Sequence, residues 1–133
     1  MTTEQWSQIK FFRPSEFDSP DFPGSGGSMD FLFVSTLDKV RAMCNFPLII
    51  TSGIRTATHN ATLSGSVDGS AHLKGLAADI ALYGRWPGDI SRMRFLIDRA
   101  AKECGIERIG IGKTFIHLDM DDSLPSPREW LYD

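Results

Sequence analysis

The chain is short of several things, and each shortage narrows what it can be. Its 133 residues hold two cysteines, Cys44 and Cys104. They form no CxxC pair, so no thiolate metal site is expected, and the two are read as small buried hydrophobes; spacing alone leaves a disulfide between them open. Long apolar runs are missing too. None approaches the ~20 residues that a membrane span requires. No basic segment followed by an apolar one opens "MTTEQWSQIK", so synthesis in a cytoplasm without a signal peptide is expected. Basic residues are not in excess: Lys+Arg number 14 against 17 Asp+Glu, a formal charge of −3. Nothing in that balance favours a nucleic-acid partner. Repeats and low-complexity tracts are absent. Histidine is scarce as well, at three residues, and two of them turn out to carry the argument.

What is present describes one folded domain, residues 1–133. Hydrophobic residues make up 41% and charged residues 23%, enough to bury a core. Residues 1–27 read as an irregular arm: "FFRPSEFDSPDFPGSGG" carries three prolines and three glycines. Phe11, Phe12, Phe17 or Phe22 would pin the arm to the body. A helix follows over 28–45, with Phe33, Leu37, Val40 and Cys44 forming one apolar stripe and Ser28 or Asp30 as its cap. "PLIITSG" reads as a strand ending at Gly53. From Ile54 to Lys74 the text is a polar, glycine-rich excursion with one helical turn near His59, and loops of that length are often functional.

"GLAADIAL" is a strand buried on both faces. The next helix, over 88–105, buries Ile90, Met93, Ile97, Ala100, Ala101 and Cys104 and stops at Gly105. Two short strands, "IERIGIG" and "FIHLDM", come after it. The tail "LPSPREWLYD" is expected to fold back onto the body. This order predicts a small α+β domain: a mostly antiparallel sheet flanked by two main helices.

The chemistry gathers around "GSAHLKGLAADI" and "FIHLD". His72 and Asp79 stand seven positions apart, and His117 lies on a later strand. Two imidazoles and a carboxylate match the three protein ligands of a catalytic zinc site. An aspartate among Leu76, Ala77, Ala78, Ile80 and Leu82 needs a partner if it is buried. A metal, an arginine or backbone N–H groups would each serve. Spacing alone does not separate a metal site from local pairing.

A resemblance carried by a wider set of residues favours the metal. Ser70, His72, Gly75, Ala77 and Asp79 match Ser-x-His-x-x-Gly-x-Ala-x-Asp position by position. With "ITSGIRTATHNATLSG" upstream and "GIGKTFIHLD" downstream, the chain resembles the zinc D-Ala-D-Ala carboxypeptidase superfamily. It is most similar to the branch of phage endolysins and murein peptidases. The Hedgehog signalling domain is similar in fold.

The resemblance implies Zn²⁺ held by His72, Asp79 and His117. It implies that Arg55 binds a substrate carboxylate, and that Ser70 bonds substrate or orients its loop. His59 is implied to be a loop residue without a metal role. Many relatives carry Glu or Asp three positions before the last histidine; Thr114 stands there in this chain. Asp119 then becomes the candidate catalytic base, or else an acceptor for a ligand histidine. Asp121 and Glu107 are more remote candidates.

The activity implied is hydrolysis of a peptide bond in bacterial peptidoglycan, with the stem peptide as partner, neither nucleic acid nor membrane involved, and a monomer as the working form. Action on the cell wall would follow release from the cell, in keeping with a phage or prophage origin. A non-catalytic zinc module, or a phage structural protein on the same fold, is the alternative.

Overall fold

The structure, a computed structural model, describes residues 1–63 and 69–132. In chain order it contains α1 (Thr3–Ser7), α2 (Phe31–Cys44), β1 (Ile50–Ser52), α3 (Ala57–Thr62), β2 (Ala77–Ala81), α4 (Asp89–Glu103), β3 (Arg108–Ile111), β4 (Phe115–Asp119) and β5 (Arg128–Leu131). One sheet runs in the order β1-β2-β4-β3-β5. Every pairing is antiparallel except β3 with β5. The α+β class with a mostly antiparallel sheet and two main helices is therefore as expected.

The strands alternate, and the alternation divides the sheet's two faces. Ala78, Ile80, Ile109, Ile116 and Leu118 are buried in the core with Phe33, Leu37 and Val40 of α2 and Met93, Ile97 and Ala101 of α4. Asp30 caps α2, accepting from the Phe33 N–H. Gly105 takes φ 90° after α4, as a left-handed stop requires. On the other face a row runs across the sheet in register: Ser52, Asp79, His117, Gly110 and Trp130. The adjacent row is Ala77, Asp119, Arg108 and Arg128. The candidates that lie on strands, Asp79, His117 and Asp119, thus share the face turned away from the helices.

Three parts of the chain are more regular than expected, although the helical turn near His59 is present as α3 and the tail does fold back onto the body. The N-terminal arm is not wholly irregular: α1 is closed by a capping box in which Thr2 and Gln5 bond each other's backbone N–H groups. Of its phenylalanines, Phe12 and Phe17 are buried, while Phe11 and Phe22 are exposed. The excursion after β1 holds α3 and a 3-10 turn, Ala71–Lys74; its residues 64–68 lie outside the described ones. The tail is a strand, β5, at the edge of the sheet, where the prolines before it cost no ladder bonds.

Cys44 and Cys104 are free thiols, each only partly buried. Burial still pushes the Cys44 thiol up to about 11. No helix among the described residues is long and apolar enough to cross a membrane.

Candidate metal centre

The arm and the turn after β1 set the position of the first histidine. Phe17 of the arm accepts the Ile54 N–H at 2.9 Å, and its backbone presses against Gly53. A Cβ at position 53 would stand 2.5 Å from Phe17 Cα, so the turn needs glycine. The Gly53 carbonyl, held there, lies 2.7 Å from His72 Nδ1. A carbonyl can only accept, so Nδ1 carries the proton and Nε2 presents its lone pair.

The loop that carries His72 is fastened at both ends. Ser70 Oγ accepts the His72 N–H at 3.3 Å, and the His72 carbonyl accepts the Arg55 N–H at 3.0 Å. Gly75 closes the turn at φ 71°. A side chain there would also press on the Ser28–Met29 backbone.

The second histidine is oriented from behind. His117 Nε2 lies 2.7 Å from Asp119 Oδ2. Burial opposes ionisation of Asp119, but the bond and charge of His117 outweigh it and hold the carboxyl below its ordinary range. As an ionised acceptor it fixes the proton on Nε2, and Nδ1 presents its lone pair to the opposite side. Asp119 Oδ1 is engaged as well, by Arg108 Nε at 2.7 Å and the Asp121 N–H at 3.1 Å.

Three acceptor atoms therefore converge: His72 Nε2, His117 Nδ1 and Asp79 Oδ1. The two nitrogens are 3.2 Å apart, and they lie 3.3 Å and 2.9 Å from the oxygen. Three lone pairs at this range repel unless something positive lies among them. Ligands in a tetrahedron about 2.0–2.1 Å from an ion would stand about 3.3–3.4 Å apart. The observed spacing is close to that, so the donor set fits a metal ion.

Without a metal, a proton takes the same part. Burial pulls the His117 imidazole down, but its bonds to Asp119 and Asp79 raise it above its ordinary value. Burial likewise opposes ionisation of Asp79, yet the histidines' bonds and charge hold its carboxyl well below the usual carboxylate range.

Arg55 closes the site on the Asp79 side. A guanidinium has five N–H donors. Arg55 sends one each to Asp79 Oδ2 at 3.2 Å, Ser52 Oγ at 3.0 Å and Asn60 Oδ1 at 3.3 Å. Its neighbour Asn60 is buried in α3, whereas His59, on the same helix, is outside the ligand group.

Thr114 is exposed, and its carbonyl accepts the Leu82 N–H. Among the described residues no carboxylate besides Asp79 joins the two histidines in a metal-ligating group. Asp121 faces Lys74 at 2.8 Å instead.

Sequence reasoning missed the opposite wall. Trp130 and Tyr132 stand beside His117, with ring centroids at 5.4 Å and 6.3 Å. Gly110 makes room for them: a Cβ there would lie 2.5 Å from the Tyr132 ring and 2.8 Å from that of Trp130. The signal was the alternation of aromatics in "REWLY", which the flanking prolines obscured.

A family model described as Peptidase M15 matches residues 13–119. No curated protein matches the chain.

Proposed function

Because the chain belongs to the peptidase M15 family, we propose that it is a zinc metallopeptidase that hydrolyses a peptide bond in bacterial peptidoglycan. The observation that carries the metal half of this reading is the meeting of His72 Nε2, Asp79 Oδ1 and His117 Nδ1, each with its lone pair turned inward. The substrate half rests on the resemblance of "SAHLKGLAADI" and "FIHLD" to murein peptidases. When bound, zinc supplies polarisation of a carbonyl and acidification of water to a pKa of about 7.

The chain's own residues set the conditions for that chemistry. Gly53 and Asp119 hold the two imidazoles in the tautomers a metal accepts. Arg55 steadies Asp79, and its remaining N–H donors offer a fork for a substrate carboxylate. Ser70 holds the His72 loop. Asp119 is the orienting acceptor of the two roles open to it. Both of its oxygens are already taken, by His117 on one side and by Arg108 and Asp121 on the other. A base must reach the proton it removes, and this carboxylate lies behind the ligand.

One observation favours the alternative of a metal-containing module that binds cell wall without cutting it: the exposed Thr114, where many relatives have a carboxylate. Digestion separates the two. Purified protein loaded with zinc is incubated with peptidoglycan, and the fragments are weighed by mass spectrometry. New amino termini are expected, abolished by a chelator and by His72→Ala, and the masses identify the bond. Peptidoglycan that is bound but left uncut by zinc-loaded protein would favour the binding module.

A further inference from the structure

Arg108 takes no part in the chemistry above, yet it is buried to 9% exposure and held on three sides. Its Nε donates to Asp119 Oδ1 at 2.7 Å, and Nη1 donates to the Pro125 carbonyl at 2.6 Å. The Trp130 ring covers the guanidinium at 5.0 Å and reaches the His117 ring at 5.4 Å. Gly110, paired in register with both His117 and Trp130, leaves the space in which that indole lies.

A buried ion pair is a poor way to stabilise a sheet, since apolar residues of similar volume often do as well or better. What this pair does is geometric. A carboxylate held only by His117 could rotate about its own axis. With Oδ1 held by Arg108 and the Asp121 N–H, Oδ2 has one direction left, toward His117 Nε2.

We propose that Arg108 is a positioning residue of the metal centre, fixing Asp119 so that His117 keeps its Nδ1 lone pair toward the metal. Trp130 holds Arg108 in that place. Strand β5 therefore belongs to the working site although it lies outside the family match at residues 13–119. The inference rests on the reading of His72, Asp79 and His117 as ligands.

The test is competition for Zn²⁺ between the protein and a chromophoric chelator, with zinc alone as the probe. Arg108→Gln is expected to lower zinc affinity about 10–100-fold with the fold intact by circular dichroism. ¹⁵N–¹H NMR of the zinc-loaded variant should show the His117 Nε2–H shifted and in faster exchange with water than in wild type, because the carboxylate that accepts it is no longer fixed. A folded Arg108→Gln protein with unchanged affinity and an unchanged Nε2–H signal overturns the inference and leaves the metal site standing. Should that variant not fold, Trp130→Leu on the edge strand decides. A several-fold loss of affinity supports the inference, and wild-type affinity overturns it. Wild-type protein that binds no zinc removes the metal reading itself, and this inference with it.

Discussion

Asp119→Asn is the substitution that separates an orienting carboxylate from a catalytic base. Asp119 is 1% exposed and bonds His117 Nε2 and Arg108 Nε, each at 2.7 Å. The amide keeps the size and loses the charge. Arg108 is then buried opposite a neutral group, and removing one partner of a buried pair costs about 3–5 kcal/mol. Arg108 keeps the Pro125 carbonyl and the Trp130 ring, so the lower end, about 3 kcal/mol, is expected. With m-values of about 1–3 kcal/mol/M, the urea midpoint falls by about 1–3 M.

The same change weakens the hold on His117. Outer partners of ligand histidines are worth about 10–100-fold in metal affinity, or about 1.4–2.7 kcal/mol. The assays are urea denaturation of metal-free protein and a zinc competition titration, followed by turnover at saturating zinc. An orienting role predicts that stability and zinc affinity both drop, and that excess zinc restores part of the turnover. Asp119→Asn with wild-type stability and zinc affinity but no turnover would refute this reasoning and make Asp119 the base.

Gly110→Ala places a methyl group where the Trp130 and Tyr132 rings lie. Overpacking of this kind costs about 1–3 kcal/mol, and β5, an edge strand, is what yields. Thermal denaturation and zinc competition should both register the loss; an unchanged melting temperature would show that the rings have room to move.

Asp121, 2% exposed and 2.8 Å from Lys74 Nζ, is ionised below its ordinary range. Burial opposes this, but the bonds from Lys74 and Ser123 outweigh it. A carboxyl lowered in the folded state contributes stability above its unfolded value of about 3.9 and loses it as the pH falls through the folded value. Asp121→Asn should therefore be less stable than wild type at pH 7, with the gap closing below about pH 4. A gap that stays constant from pH 7 to pH 3 would rule out the ion pair as its source.

Local pattern determined much of this protein. The stripe of Phe33, Leu37 and Val40 and that of Met93, Ile97 and Ala101 are readable as helices, because i, i+3 and i+4 neighbours share a face whatever the rest of the chain does. The alternation in "FIHLD" places His117 opposite Ile116 and Leu118 for the same reason. His72 and Asp79 were legible as candidates because they sit in a motif whose spacing is local, and it was the resemblance of that motif to a known family that set a metal site above local pairing. Reading residues 1–27 as irregular missed α1, although its signal is local too: Thr2 and Gln5 are three apart and form the box that caps it.

Only the tertiary structure decided the rest. Which nitrogen of each histidine faces Asp79 and the other histidine depends on Gly53, 19 positions from His72, and on the direction in which the Asp119 carboxylate turns. Arg108 meets Asp119 only because β3 pairs with β4, and Trp130 covers Arg108 only because β5 adds in parallel to β3. Such contacts depend on strand order and register, which a linear pattern does not encode. Asp119 shows the difference most directly. Two positions from His117 on a strand, it had to share that face, as base or as acceptor; the guanidinium and the backbone N–H that occupy its other oxygen came from the pairing of β3 with β4 and from the turn after β4.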